Sequence, residues 1–332
     1  MKAARLIAPQ RFEMLDVPSP DLDGAGPEGL VVRVERSSIC GSDIPIFATN
    51  HPPSAYPMAP GLSVHECVGV VSASRSSRFK EGDQVLAIPD RSDGLAEFFR
   101  TSSSRTIPLL PYPDKSQLLM AQPLGTVVWA CRKLPNLLLK DAVVLGQGPM
   151  GLLMAHLLSN LGAKTVIAMD RLDYRLEVSR QMRATHTVNV GREDAAGAVR
   201  EITGGRMADL AVEVVGHQQE TVNTCLDLVK RGGLVLSFGV PDDQFYNVDF
   251  GKIIRQNISL IGSIGPEVQA DIPLAMEMIA QGRVNVVPIL THTLPFDQVQ
   301  RGFEIFTHRS DGAIKVVLDY DGISSASKED LS

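Results

Sequence analysis

Two folded parts of different class are expected: an irregular, mostly antiparallel β domain over residues 1 to about 120, and an α/β domain with a doubly wound parallel sheet from about residue 140. Three observations support this. The length of 332 residues exceeds what one core usually holds, so two domains with a ligand-binding crevice between them are the default. Short β-rich runs at 29–35 and 83–88, punctuated by many prolines and glycines, fill the first part. Beyond about 140 the pattern changes to strands and helices in alternation.

That alternation reads in order as a strand at 142–145, a helix at 151–161 and a strand at 164–170, the opening βαβ unit of a parallel sheet. A helix at 174–182, a strand at 209–216 and a helix at 219–230 closed by Gly232-Gly233 continue it. Strands at 234–238 and 258–262 supply enough units for double winding. Two amphipathic helices, 271–279 and 296–307, and a last strand at 313–318 follow, and the polar tail from 322 is expected to fray.

Composition narrows the function class. The chain is 44% hydrophobic and 21% charged, with a formal net charge of -6 and a pI near 5.7, which argues against a nucleic-acid or anionic-membrane surface and for small-molecule partners. The apolar N-terminal stretch is too short for a secretory signal, and no apolar run reaches the roughly 20 residues a membrane span needs. A cytoplasmic protein is expected. The four cysteines, Cys40, Cys67, Cys131 and Cys225, are widely spaced without a C-x-x-C pair, so any metal must use mixed ligands.

The run Gly146-Gln147-Gly148-Pro149-Met150-Gly151 follows four apolar strand residues and opens a helix, and Asp170 ends the next strand 19 residues after Gly151. Gly146 permits the tight turn, Gly148 lets the backbone approach a pyrophosphate, and Gly151 lets helix and sheet pack closely, while the helix N-terminus offers positive potential to phosphates. Pro149 lacks one amide donor but presets the turn. Asp170 is placed to accept hydrogen bonds from the adenosine ribose hydroxyls and to repel a 2'-phosphate, which favours NAD over NADP. Arg171 and Arg175 pull the other way, since an arginine could stack on adenine or pair with that phosphate.

Cys40, His65 and Glu66 offer a thiolate, an imidazole and a carboxylate, a donor set that suits zinc and leaves a fourth position for water or substrate. Singly, each has a plainer reading, as a buried small hydrophobe, a satisfied core histidine and a surface charge. Their surroundings favour the metal: Cys40-Gly41-Ser42-Asp43, then His65-Glu66 with Gly69, Gly82-Asp83, Gly94-Leu95-Ala96-Glu97 and the Gly146 fingerprint downstream.

In these motifs the chain, from about 24 to about 319, resembles the zinc-containing medium-chain alcohol and polyol dehydrogenases, nearest the sorbitol and threonine dehydrogenase branch. The resemblance implies a GroES-like, mostly β catalytic domain formed by residues 1–125 together with 264–332, and a Rossmann NAD-binding domain at 126–263. It implies one catalytic zinc on Cys40 and His65, with Glu66 either a ligand or an outer-sphere carboxylate. Asp43 would orient the His65 ring. Ser42 would take the substrate proton, and Val215-Gly216, Phe238-Gly239 and Gly262-Ser263 would line the nicotinamide side.

Three departures stand out. Gln122-Pro123 replaces a commonly acidic residue, which makes Gln122 the alternative third ligand. Pro45 replaces the relay histidine, leaving Ser42 with water, the ribose, or a group such as His51 to carry the proton. Residues 89–94 bridge directly where relatives carry a cysteine-rich lobe, so no structural zinc is expected. The implied reaction is hydride transfer between NAD and a secondary alcohol, polyol or sugar-like metabolite, or the reverse on the carbonyl, by a homodimer or homotetramer joined near 258–264. The alternatives are a zinc-free NADPH-dependent quinone or enone reductase and a silent NAD-binding sensor. Phe47, Tyr56 and Trp129 read equally as pocket or packing residues.

Overall fold

The computed structural model describes residues 1–49 and 51–323. The backbone clusters into two units: residues 1–122 with 268–281 and 290–332, and residues 123–267 with 282–289. No helix among the described residues is long and apolar enough to cross a membrane.

The first unit is built on antiparallel strands: β1 (Lys2–Ala8), β2 (Arg11–Asp16), β3 (Gly29–Ser38), β4 (Glu66–Ser74), β5 (Gln84–Ala87), β6 (Phe98–Ser102) and β7 (Thr106–Pro108). β1 and β2 form a hairpin of their own. The second unit carries β8 (Asp141–Leu145), β9 (Thr165–Asp170), β10 (His186–Asn189), β11 (Ala208–Glu213), β12 (Val229–Ser237) and β13 (Ser259–Gly262). The chain then supplies β14 (Leu290–Pro295) and β15 (Lys315–Asp319) to the first unit, whose main sheet runs β14-β15-β3-β4-β5-β7 with β6 also on β3. Its core gathers Val32, Val34, Ile39, Phe47, Phe99, Phe296 and Phe303, all essentially buried.

The second unit is a wholly parallel sheet in the order β10-β9-β8-β11-β12-β13. β8 and β9 are buried along their whole length, as expected of strands covered on both faces. Counted within this unit the order is 3-2-1-4-5-6, so the direction of winding reverses between β8 and β11, where such sheets bind ligands beyond their carboxyl ends.

Two of the expected helices differ in kind at one end from the sequence expectation, and the strand expected over 209–216 stops at Glu213. The helix expected over 219–230 ends earlier: it spans Glu220–Leu228, and β12 starts at Val229. Val229 pairs with Ala208 and Leu234 with Leu210, so residues 230–233 loop out of the ladder, with Gly232 in the left-handed region. The glycines therefore serve an irregular strand and not a helix end, because β-branched Val229 gains a partner in the sheet. The helix expected from 296 begins as a 3-10 turn, Phe296–Gln298, before Val299–His308. From 324 on, the expected fraying tail lies outside the described residues.

Candidate active site

The first unit brings Cys40, His65 and Glu66 together by strand register. Ser38, the last residue of β3, pairs directly with Glu66, the first of β4, and with Val317 of β15 on its other side. Lys315 stands two residues from Val317 and so shares its face, which carries its ammonium across to Glu66. Its Nζ lies 2.5 Å from Glu66 Oε2, and the Ser38 hydroxyl donates to the same oxygen. Glu66 is 0% and Lys315 1% exposed, and Glu66 Oε1 has no hydrogen-bond partner among the described residues. A buried, charged acceptor left idle is costly, so it marks a place where a further ligand is accommodated.

Cys40 sits just past β3 and caps the 3-10 turn Gly41–Asp43. The Asp43 carboxylate accepts the Cys40 N–H at 2.8 Å and the Ser63 hydroxyl at 3.1 Å. One ligand atom each from Cys40, His65 and Glu66 lies within 4.8 Å of the others, and among the described residues this is the one such cluster of three or more metal-ligating side chains. Sulfur, imidazole nitrogen and carboxylate oxygen fit zinc, and the idle Oε1 fits a ligand held ready. Burial pushes the Cys40 thiol up to about 12, with Glu66 adding to the rise and Lys315 opposing it. A bound cation would reverse this, since a coordinating thiol is deprotonated outright.

Burial also raises the Asp43 carboxyl, to about 6, against the favourable pull of His65. His65 Nδ1 is 3.9 Å from Asp43 Oδ1, too far for a hydrogen bond. The expected orienting bond is thus not made in this structure, because Asp43 is engaged by the Cys40 amide and Ser63. Ser42 is exposed, two residues after Cys40 in the 3-10 turn. Gln122 is buried in the first turn of the helix Ala121–Cys131. The ring of His51 lies 6.1 Å edge-on from Tyr56, and its Nε2 has no partner among the described residues. Phe47 is a core residue, stacked on Phe12 and tilted against Phe303, which removes it from the pocket.

In the second unit the glycine run forms the turn after β8. Gly146 has φ +100°, and a Cβ there would come within 2.9 to 3.1 Å of Val214 and Val215. A Cβ on Gly151 would lie 1.9 Å from the Gly146 carbonyl oxygen, so only glycine lets the helix Pro149–Asn160 approach the strand. Gly148, by contrast, faces open space, its nearest neighbour being Arg175 Nη1 at 3.9 Å, and it begins the helix without a side-chain cap. A bare turn beside a helix N-terminus with Pro149 and Met150 in its first turn is a fitting cradle for a pyrophosphate.

Asp170 is largely buried and accepts the N–H groups of Gln147 (2.7 Å), Arg171 (2.7 Å) and Leu172 (3.0 Å), with Arg175 at 3.8 Å. A carboxylate offers about four acceptor positions, which leaves little spare for ribose hydroxyls. Gln147, a mere spacer in the motif, is fully buried and pins the turn through Val144 and Gly146 carbonyls and the Ser179 hydroxyl. Val215-Gly216 and Phe238-Gly239 follow β11 and β12, and Gly262-Ser263 spans the end of β13, all at the same end of the sheet. Ser263 Oγ is buried without a partner among the described residues.

The wound parallel sheet with its glycine turn, and the sulfur–nitrogen–oxygen cluster of the antiparallel unit, define a two-part metal- and dinucleotide-binding dehydrogenase. Comparison with known proteins agrees. Residues 26–107 match the alcohol dehydrogenase GroES-like domain and residues 149–281 the zinc-binding dehydrogenase domain. An alcohol dehydrogenase of Cupriavidus necator is 28% identical over 96% of this chain and 98% of its own length. L-threonine 3-dehydrogenase of Chromobacterium violaceum is 27% identical over 96% and 100%. Among solved structures, the alcohol dehydrogenase of Thermus sp. ATN1 superposes with a TM-score of 0.86 at 24% identity, covering 96% of this chain and 99% of that one, a likeness of fold. The chain belongs to the zinc-containing medium-chain alcohol and polyol dehydrogenase family and is an oxidoreductase.

Proposed function

We propose that the protein transfers hydride between NAD and a secondary alcohol, polyol or sugar-like metabolite, with one zinc held by Cys40, His65 and Glu66. The observation that carries this is the cluster of three unlike donors, Cys40 and His65 half-buried and Glu66 buried, with Glu66 Oε1 unpartnered among the described residues. Zinc supplies Lewis acidity that makes an alcohol hydroxyl a stronger acid. Ser42, exposed beside Cys40, receives the hydroxyl proton and passes it to water, the ribose or His51. Lys315 balances the Glu66 charge, so the site keeps the net positive character that this acidification needs. Gln122 is the alternative third ligand.

The Gly146 to Gly151 turn binds the pyrophosphate, and Asp170 faces the adenosine ribose and disfavours a 2'-phosphate. Arg171 and Arg175 flank the adenosine, and the turns at 215–216, 238–239 and 262–263 border the nicotinamide. The edge strand β13, with Leu260 and Ile264 exposed, suits pairing of two copies into a homodimer or homotetramer. Four free cysteines suit the cytoplasm. A zinc-free reductase has no use for the donor cluster, which disfavours that reading.

The test is Cys40→Ser. Elemental analysis is expected to show about one zinc per chain in the parent and almost none in the variant. Turnover in a screen of polyols and amino alcohols should vanish while NADH binding persists. Undiminished turnover by the metal-free variant would refute the proposal.

A further inference from the structure

We infer that Glu213 is a positioning residue for the nicotinamide end of the cofactor. It ends β11, next to the point where the winding reverses, and is 2% exposed. Its Oε1 accepts the N–H groups of Val215 (2.9 Å) and Gly216 (3.0 Å) and the Thr221 hydroxyl (2.9 Å). Its Oε2 accepts the Gly239 N–H at 3.2 Å, and its backbone carbonyl accepts those of Phe238 and Gly239. One residue therefore ties the turn after β11 to the turn after β12.

The coupling is tight on every side. The His217 N–H donates to the Val240 carbonyl, so the two turns also bond directly. A Cβ on Gly239 would stand 2.3 Å from Gly216 N and 2.6 Å from Glu213 Oε2, leaving no slack between them. Val215 in turn abuts Gly146 of the first turn. Among the described residues no lysine or arginine pairs with Glu213, so its partners are backbone amides and one hydroxyl. A carboxylate here accepts on both oxygens, whereas a glutamine of the same shape must turn its NH2 toward an N–H donor.

That mismatch shifts the turns by a fraction of an ångström, and hydride transfer tolerates little displacement of the reacting ring. The turn proposed for the pyrophosphate touches Val215 but takes its hydrogen bonds from Asp170 and Gln147 rather than from Glu213, so the adenosine half depends less on this carboxylate. The inference rests on the proposed placement of the turns at 215–216 and 238–239 beside the nicotinamide.

The test compares NADH with ADP-ribose, which lacks the nicotinamide, by titrating the zinc-loaded full chain and its Glu213→Gln variant. The variant should bind NADH about tenfold more weakly, as expected for one lost or mismatched hydrogen bond, while ADP-ribose affinity stays within about twofold. Equal weakening of both ligands, or a lowered melting temperature with both affinities kept, would assign Glu213 a purely structural role and overturn the inference. If Glu213→Gln does not fold, Thr221→Val removes a single donor and is judged by the same ratio. A parent that binds neither molecule would refute the cofactor proposal itself, and this inference with it.

Discussion

Glu66 and Glu213 are both buried carboxylates at strand ends, one in each unit, yet they are satisfied in opposite ways. Glu66 is held on one oxygen by the side chains of Lys315 and Ser38, and its other oxygen is idle. Glu213 is saturated by three backbone amides and a hydroxyl. A carboxylate held by side chains can swing to a cation by rotamer change alone, whereas one held by backbone cannot move without moving the chain. The first arrangement suits chemistry and the second suits precision of placement.

The strongest way to break the contrast is Lys315→Met, which strands Glu66 without its counter-charge. Removing one partner of a buried pair costs about 3–5 kcal/mol. Thermal or urea unfolding in chelator should show a loss of that size, and added zinc should recover more stability in the variant than in the parent. Equal stability of parent and variant in chelator would mean that Glu66 does not depend on the pair.

A second variant, Asp170→Gly, probes the other backbone-held carboxylate. Removing a charge that faces a 2'-phosphate should raise the preference for NADP over NAD by about tenfold or more, measured as a ratio of kcat/KM. An unchanged ratio would show that its three amide bonds are its whole role. The smallest effect concerns Asp209, on the same strand as Glu213 but satisfied by surface lysines. Burial alone would raise its pKa, but Lys230, the Asp141 N–H and Lys140 outweigh that and hold it below the ordinary aspartate value. Its stabilisation is therefore present above the usual carboxylate range and lost as pH falls through it, and salt screens it to less than about 1 kcal/mol. Comparing the acid unfolding of Asp209→Asn with the parent checks both sign and size.

Local pattern made the parallel sheet legible, because strands buried on both faces read as apolar runs and Gly146, Gly148 and Gly151 carry their geometry in their spacing. β10 and the helices Ala195–Ile202 and Phe250–Gln256 were not anticipated, being short and mixed in polarity. Cys40, His65 and Glu66 were found from residue type. Lys315 was missed: a single lysine in an apolar strand reads as a solvated edge, and only the register of β15, β3 and β4 reveals its partner. Gln147 and Glu213 were hidden for the same reason, since their partners are mostly backbone atoms, which every residue has.

The strand that delivers Lys315 is the last among the described residues, while the carboxylate it neutralises lies in the fourth. A nascent polypeptide leaving the ribosome can cover the Gly29–Arg33 part of β3 with β6, but leaves one flank of Arg36–Ser38 unpaired until β15 arrives, long after the parallel unit has had time to close on itself. Premature termination before Lys315 would therefore release a molecule with a complete parallel unit and an unfinished, aggregation-prone sheet edge.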